Sequence, residues 1–365
     1  MAGKAGFVAV HAGAGFHSRS NREDYKATVR RACLKGLELL EAGSNVVEVA
    51  AQAGAVLEDC PLTNAGKGSC LTLDGGVEGD ACIMEGTSML YAAVGAVPNV
   101  RNPVIVAQKL LEYQRPGLLS LGRIPPNTLV GEGARKWAAD NGLADQLCDH
   151  QSLVTENSRR IFQKYIAKLA DKNGQRAAKK AKLDVQEGQD IGDTVGVVCV
   201  DHQGNIACAA SSGGILLKHP GRLGQAAIYG SGCWAENSGK AGVAVCTSGS
   251  GEHIIKTLFA RQCALSLQST DDPTAALSNT ANKHFLESPI LHGVSEKFGG
   301  VLALKTDATE RLDVEVLWAH STPTMCLAYS TTTDSKPHVL LSELPTDIVP
   351  GSKFIIGSKQ FYLTS

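Results

Sequence analysis

The sequence predicts a layered α+β domain. Amphipathic helical patterns lie between groups of short apolar segments that are typical of buried strands. The composition, with 43% hydrophobic and 19% charged residues in a chain of 365, is that of an ordinary globular protein with one large core or two smaller ones. Together these observations favour sheets covered by helices.

In the N-terminal half, apolar runs alternate with longer periodic segments. The apolar runs predict strands at residues 7–10, 71–73 and 81–84. The glycine-rich residues 11–15 are expected to form a turn. Apolar residues at helical spacing predict helices from Ser20 or Asn21 to Glu41, from Val46 to Glu58, after Asn102-Pro103, and over residues 131–140.

In the C-terminal half, the strand signals are clearer. Residues 195–200 and 206–210 predict a hairpin whose turn contains Gly204 and Asn205. A helix is expected to begin near Glu252 and to continue through Cys263. Two late strands are predicted at residues 299–304 and 312–318.

Residues 151–193 form a basic segment of a different kind. Between Arg159 and Lys182 there are nine basic residues and one acidic residue, with apolar residues at helical spacing. This pattern predicts an amphipathic basic helix followed by a solvated tether. The basic residues either form a solvated face or resemble a split nuclear-import signal. The signal would consist of Arg159, Arg160, Arg176, Lys179, Lys180 and Lys182.

Charge and cysteine usage exclude several functional classes. The formal net charge of -1 gives no indication of a nucleic-acid partner, and no groove-reading motif accompanies the basic segment. No apolar run approaches the ~20 residues that span a bilayer, and no secretory leader is expected at the N-terminus. The eleven cysteines are scattered without Cys-x-x-Cys spacing, which favours reduced, buried thiols over a zinc site.

The junction at Asp193-Thr194 is the most informative feature of the chain. The charged tether ends there and an apolar strand begins. Thr194 is either a buried strand-start residue or a nucleophile that becomes active after cleavage before it. Cleavage would give Thr194 a free α-amine with a reference pKa of about 8, which can accept the proton of its own hydroxyl.

Four further segments are rich in glycine and small polar residues, and each alone would be read as a turn. None has the spacing of a phosphate-binding P-loop. They are residues 61–68, 210–214, 218–225 and 247–252.

Taken together, these segments resemble the N-terminal-nucleophile hydrolases of the asparaginase type, and within them the threonine aspartase (taspase) branch. The resemblance extends from about Gly6 to the C-terminus. The motifs that carry it are His11–Gly15, Thr63–Gly66, Asp80–Met84, Gly122–Pro126, Asp193–Gly196, Ser211–Gly214, His219–Arg222 and Tyr229–Asn237.

The resemblance implies a four-layer αββα sandwich and self-cleavage before Thr194. The products would be an N-terminal chain (1–193) and a C-terminal chain (194–365) that remain associated as one folded domain. No cofactor or catalytic metal is implied, and any ion near Asn64 would be structural. Two processed units could associate further.

The resemblance also implies a role for each site residue. Thr194 is the nucleophile and its α-amine the base. Ser212 orients that pair. Ser248 and Gly249 supply oxyanion donors, and Asn64 polarises the carbonyl during self-cleavage. Substrate contacts are implied for Gly13, Arg222, Gln225 and Gly251.

Gln225 departs from the asparaginase pattern, because relatives that cleave amino acids carry aspartate there to hold the substrate's free α-amine. We hypothesise that an internal peptide Asp places its β-carboxylate on Arg222, so that its α-carbonyl meets Thr194. A neutral residue at 225 then avoids an unpaired buried carboxylate. Arg222 could instead be an ordinary pairing arginine.

The resulting prediction is a threonine endopeptidase that cleaves protein substrates after aspartate, at Asp-Gly sites. The resemblance implies a nuclear and cytoplasmic enzyme that acts on Trithorax-type regulators and the precursor of transcription factor IIA, and an import receptor as a further partner. The first alternative is an asparaginase or β-aspartyl dipeptidase. The second is an uncut interaction module.

Overall fold

The computed structural model describes residues 5–174, 194–238, 241–308 and 312–363. The predicted tether, including Asp193, lies outside these residues. Within them, helices and strands are both abundant, so the predicted α+β class is confirmed.

Eight strands of the described chain form one sheet. Neighbouring strands are antiparallel except for β3 and β4, and the spatial order is β12-β11-β1-β5-β6-β2-β3-β4. The strands are β1 (Phe7–Gly15), β2 (Glu78–Glu85), β3 (Tyr91–Pro98), β4 (Thr128–Val130), β5 (Val195–Val200), β6 (Ile206–Ser212), β11 (Thr324–Thr331) and β12 (His338–Glu343).

Five more strands form a second, antiparallel sheet in the order β13-β10-β9-β8-β7. They are β7 (Cys233–Asn237), β8 (Ala241–Gly249), β9 (Gly299–Ala308), β10 (Leu312–His320) and β13 (Ile355–Leu363). β8 and β9 carry consecutive buried apolar residues, such as Val301 to Leu304, because both faces of these strands are covered.

Side chains along the larger sheet alternate between two cores. Phe7, Ala9 and Val198 join the core shared with the smaller sheet. Val8 and Val197 join a second core on the helical side. This alternation follows from the two-residue period of a strand and places every second residue of β1, β5 and β6 between the sheets.

The helices pack against both sheets. Those that precede Asn141 contact the larger sheet, and α8 and α9 contact the smaller one. The helices are α1 (Arg22–Ala42), α2 (Val46–Glu58), α3 (Pro103–Gln114), α4 (Gly131–Asp140), α5 (His150–Leu153), α6 (Glu156–Gly174), α7 (Gly251–Thr257), α8 (Phe259–Gln268) and α9 (Pro273–Thr280).

Three element predictions were wrong. Residues 11–15 continue β1 rather than forming a turn, with a register shift between His11 and Ala14. Residues 71–73 form no strand; Thr72 makes an isolated bridge to Lys218. The helix predicted from Glu252 through Cys263 is interrupted at Leu258, whose φ of 46° lies in the left-handed region and ends α7.

All eleven cysteines lie in the described residues and are free thiols, and all except Cys148 are buried. This agrees with the sequence-based expectation of buried thiols. Within the described ranges, no helix has the length and apolar character needed to cross a membrane.

Candidate active site

Thr194 lies immediately before β5 and is 3% exposed. Val195 pairs with Ser211 of β6, so Thr194 and Ser212 occupy neighbouring positions at the ends of two antiparallel strands. Val195 faces the helical core. Because side chains alternate along a strand, Thr194 and Ser212 both face the space between the sheets.

Asn64 is hydrogen-bonded to the segment that follows Ser212. Its Nδ2 donates to the carbonyl oxygen of Gly214 at 2.7 Å, and its own carbonyl accepts from the amide of Gly213 at 2.7 Å. Its Oδ1 accepts from the amide of Cys70 at 2.8 Å. Ser212 Oγ accepts from the amide of Gly214 at 3.0 Å. Two predicted site residues are therefore tied to one short glycine segment.

The end of β1 meets the end of β8 in the same region. Ser248 Oγ accepts from the amide of Ala14 at 3.0 Å, next to Gly13. Gly13 and Gly249 have φ values of 116° and 126°, which favour glycine. A Cβ on Gly249 would lie 2.5 Å from the carbonyl oxygen of Phe298.

His11, which the sequence analysis gave no site role, lies beside this junction. Its Nδ1 accepts from the amide of Gly13 at 3.2 Å, and β1 register places it opposite Gly196. Burial lowers the pKa of His11 to about 3, so the imidazole is neutral and suited to accept this bond. Its location in a Gly-rich motif, His11–Gly15, was the available sequence signal.

Gln225 contacts the predicted nucleophile directly. Its Nε2 donates to Thr194 Oγ1 at 2.5 Å, and its side chain is buried. A Cβ on Gly251 would lie 2.7 Å from Gln225 Oε1 and 2.8 Å from Arg222 Nη2. Gly251 therefore lets α7 begin close to both side chains. The sequence hypothesis gave Gln225 a contact with substrate. The structure adds a direct hydrogen bond between Gln225 and the predicted nucleophile.

Arg222 forms a two-point ion pair with Glu252. Its Nε lies 2.8 Å from Glu252 Oε1 and its Nη2 lies 2.7 Å from Oε2. The Arg222 side chain is 14% exposed and that of Glu252 is 52% exposed. The pairing role that the sequence left open for Arg222 is therefore present, with Glu252 as the partner that sequence reasoning missed.

Asp80 and Lys218 are charged residues that lie close to residues 222–225. The sequence analysis gave neither of them a site role. Asp80 accepts from the amides of Ala96 and Gly224, both at 2.8 Å, and pairs with Ser212 across β2 and β6. Burial raises the pKa of Asp80 and lowers that of Lys218. The acidic residue that opens the Asp80–Met84 motif was the available sequence signal.

The predicted import residues are only partly described. Arg159 and Arg160 are exposed on α6. Arg176, Lys179, Lys180 and Lys182 lie outside the described residues, as does Asp193. In the part of the chain that the structure covers, no group of three or more His, Cys, Asp or Glu side chains is placed to hold a metal ion.

Comparison with known proteins gives a family match over most of the chain. The sequence model of the family described as Asparaginase matches residues 4–340.

Relatives with assigned names match to a similar extent. The chain is 31% identical over 346 residues to a Xenopus laevis protein named isoaspartyl peptidase/L-asparaginase, covering 95% of this chain and 98% of the relative. It is 36% identical over 262 residues to the isoaspartyl peptidase of Salmonella typhimurium, covering 70% of this chain and 77% of the relative. The isoaspartyl peptidase of Escherichia coli is 35% identical over 267 residues, covering 72% and 76% respectively.

Proposed function

Because the chain belongs to the asparaginase family of N-terminal-nucleophile hydrolases, we propose that it is a self-processing threonine endopeptidase that cleaves protein substrates after aspartate. The main support for this proposal is the hydrogen bond that Gln225 Nε2 donates to Thr194 Oγ1. Cleavage before Thr194 comes first, because in the uncut chain the nitrogen of Thr194 is part of a peptide bond and cannot act as a base.

After processing, Thr194 Oγ attacks the carbonyl that follows the substrate aspartate, and the α-amine takes the hydroxyl proton. That proton passes to the departing amine of the next residue. Water then hydrolyses the ester. Ser212 orients the α-amine and hydroxyl of Thr194, and Ser248 Oγ and the Gly249 amide stabilise the oxyanion. Asn64 acts in the preceding self-cleavage, where it polarises the carbonyl that is attacked. Support comes from the contacts that link Asn64 and Ser212 through Gly214.

The chemistry of residue 225 favours a peptide over a free amino acid. Gln225 is neutral, buried and donates to Thr194 Oγ1. The neighbouring acids, Asp80 and Glu252, are bonded to backbone amides and to Arg222 respectively. A free α-amine bound next to Gln225 would have to compete for one of these carboxylates, whereas a peptide nitrogen carries no charge to balance.

An isoaspartyl peptidase or L-asparaginase activity is the second candidate. The names of the relatives favour it, since those relatives match 70% or more of this chain. In this alternative Arg222 would hold the α-carboxylate of a small substrate. Processing before Thr194 and the nucleophile are the same in both alternatives.

A substrate panel separates the two activities. The processed protein is incubated with a peptide that contains one internal Asp-Gly bond, with a β-aspartyl dipeptide, and with L-asparagine. Products are read by mass spectrometry, with Thr194→Ala as control. We expect cleavage after aspartate in the peptide only. Turnover of the small substrates without peptide cleavage would establish the second candidate, and an uncut, inactive chain would favour an interaction module.

Architecture, assembly and location follow the same resemblance. Helices contact both sheets, and the sheets share a core, which supports the four-layer αββα arrangement.

We also propose self-association of processed units and import into the nucleus by a receptor that binds the basic segment. Arg159 and Arg160 are exposed on α6, which is consistent with that role. Replacing both with alanine should shift a fluorescent fusion toward the cytoplasm; unchanged nuclear signal would contradict import through these residues.

A further inference from the structure

One edge of the Arg222 guanidinium is bound to Glu252, and the remaining nitrogen has no hydrogen-bond partner among the described residues. Glu252 occupies the edge formed by Nε and Nη2, with both distances below 3 Å. A guanidinium is planar and carries five N–H donors, so a second carboxylate can bind the edge formed by Nη1 and Nη2 while the first remains.

The third nitrogen, Nη1, is turned into the protein. It is buried and has no hydrogen-bond partner among the described residues. Cβ atoms built on Gly214 and on Gly224 would each lie 3.0 Å from it. Gly214 is the residue whose amide bonds Ser212 Oγ. Nη1 therefore points toward the segment that carries Ser212, beside the predicted nucleophile.

A buried donor without a partner destabilises the folded protein, and an anionic ligand that binds to this donor would remove that cost. We infer that Glu252 is a positioning residue for substrate binding. It holds the outer edge of Arg222 so that Nη1 receives a substrate carboxylate, and it stays in place when substrate binds. The inference rests on the proposed function, since it requires that Arg222 binds the carboxylate.

A different role for Glu252 would have the opposite effect on binding. Because its side chain is 52% exposed, Glu252 could instead be a competitor that the substrate carboxylate displaces from Arg222. Removing a competitor strengthens substrate binding. Removing a positioning residue weakens it, because the freed guanidinium loses its orientation.

The test compares processed wild type with Glu252→Gln, using L-aspartate as the probe in isothermal titration calorimetry. We expect binding of L-aspartate to weaken about tenfold, because the two-point, charge-assisted pair that orients Arg222 is lost. We also expect KM for the Asp-Gly peptide to rise about tenfold while kcat stays within about twofold. Unchanged or tighter binding would overturn the inference.

Glu343→Gln is the matched control. Glu343, on β12, pairs with Arg22 at 2.7 Å and is 50% exposed, so the same charge is removed from a glutamate of similar exposure in an ion pair of similar length. We expect wild-type affinity for L-aspartate in this variant. A loss equal to that of Glu252→Gln would overturn the inference, because it would show a general charge effect.

Two more variants keep the result interpretable. If Glu252→Gln fails to process or fold, Glu252→Asp decides: the shorter acid should give intermediate affinity, and wild-type affinity would overturn the inference.

Arg222→Ala tests the premise that Arg222 binds the substrate carboxylate. If it binds L-aspartate as tightly as wild type, the assigned role of Arg222 fails and the inference fails with it. If only Arg222→Ala weakens binding, the role of Glu252 alone is wrong.

Discussion

Ser211 Oγ donates a 2.6 Å hydrogen bond to Oε1 of Glu58, which joins the strand beside the predicted nucleophile to the end of α2. The same oxygen accepts from the amide of Val104 at the start of α3, at 3.0 Å. Glu58 is fully buried. One carboxyl group therefore fixes β6, α2 and α3 to one another on the helical side of the sheet.

Glu58→Gln should make the protein less sensitive to alkaline pH. Burial raises the pKa of Glu58 from 4.5 to about 8, so between these values the folded state keeps a proton that the unfolded state has lost. Wild-type stability must therefore fall as the pH rises from about 4.5 to about 8. Glutamine resembles the protonated acid and should remove this contribution, on the order of 1–3 kcal/mol.

The measurement is the free energy of unfolding in urea at pH 5 and pH 8. Glu58→Gln should lie close to wild type at pH 5 and above it at pH 8. Glu58→Ala should be destabilised at both pH values, because it leaves Ser211 and the Val104 amide without their acceptor. Parallel pH dependence in wild type and Glu58→Gln would contradict a buried, protonated Glu58.

The sequence predicted best those elements whose signal is local. The strand at 195–200, the helix at 46–58 and the helix at 131–140 have the predicted bounds, because each is a regular apolar pattern with a clear start or end. Leu258 interrupts an apolar pattern that continues across it, so its left-handed conformation leaves no local sequence signal.

Long-range contacts were harder to predict. Resemblance to a family selected Thr194, Ser212, Asn64 and Gln225, but nothing local indicates that Gln225 bonds Thr194 across 31 positions. The pairing of Arg222 with Glu252 is equally non-local. Such contacts depend on how β6, the 218–225 segment and α7 converge, which periodicity cannot determine.

Three buried histidines should make the protein sensitive to acid. Burial lowers the pKa of His11 to about 3 and those of His17 and His320 to about 4. Below the ordinary value of 6.5 the unfolded chain binds protons that the folded chain does not, so stability falls as the pH drops from about 6.5 toward 4. Each histidine should contribute a loss on the order of 1 kcal/mol at pH 5.5.

His320→Gln tests this prediction. Comparing the free energy of unfolding at pH 7 and pH 5.5 should show a smaller acid loss than in wild type, even if the variant is less stable overall. Its ring bonds Ser342 Oγ and the carbonyl oxygen of Thr322, which glutamine can partly replace. The exposed His292→Gln is the control. An acid loss equal to wild type in His320→Gln would contradict the prediction.

Gly196→Ala should severely destabilise the fold and prevent processing. A Cβ on Gly196 would lie 2.4 Å from His11 Nε2 and 2.6 Å from Cys246 Sγ, which no small adjustment relieves because both neighbours are fully buried. Overpacking of this kind costs about 1–3 kcal/mol or more, and the strain falls two residues from Thr194.

Gly133→Ala in α4 is the matched control, because a Cβ there has nothing within 4 Å and alanine favours a helix by about 0.5–1 kcal/mol. Thermal unfolding should show a lower Tm for Gly196→Ala and an equal or higher Tm for Gly133→Ala. Normal stability and complete processing in Gly196→Ala would show that the sheets can separate locally at this point.

Gln225→Asp tests the residue on which the proposed function depends. An aspartate at this position accepts hydrogen bonds only, so it cannot donate to Thr194 Oγ1, and its charge would be buried beside an Arg222 already bound to Glu252. We expect kcat/KM for the internal Asp-Gly peptide to fall about 10- to 100-fold. Turnover of L-asparagine should rise from background, because the new carboxylate can pair with a free α-amine.

Gln163→Asp, on the exposed side of α6, adds the same charge away from the site and should match wild type. Unchanged peptide cleavage by Gln225→Asp would mean that residue 225 does not select between peptides and amino acids, and specificity would then have to be sought in Arg222 and Gly251.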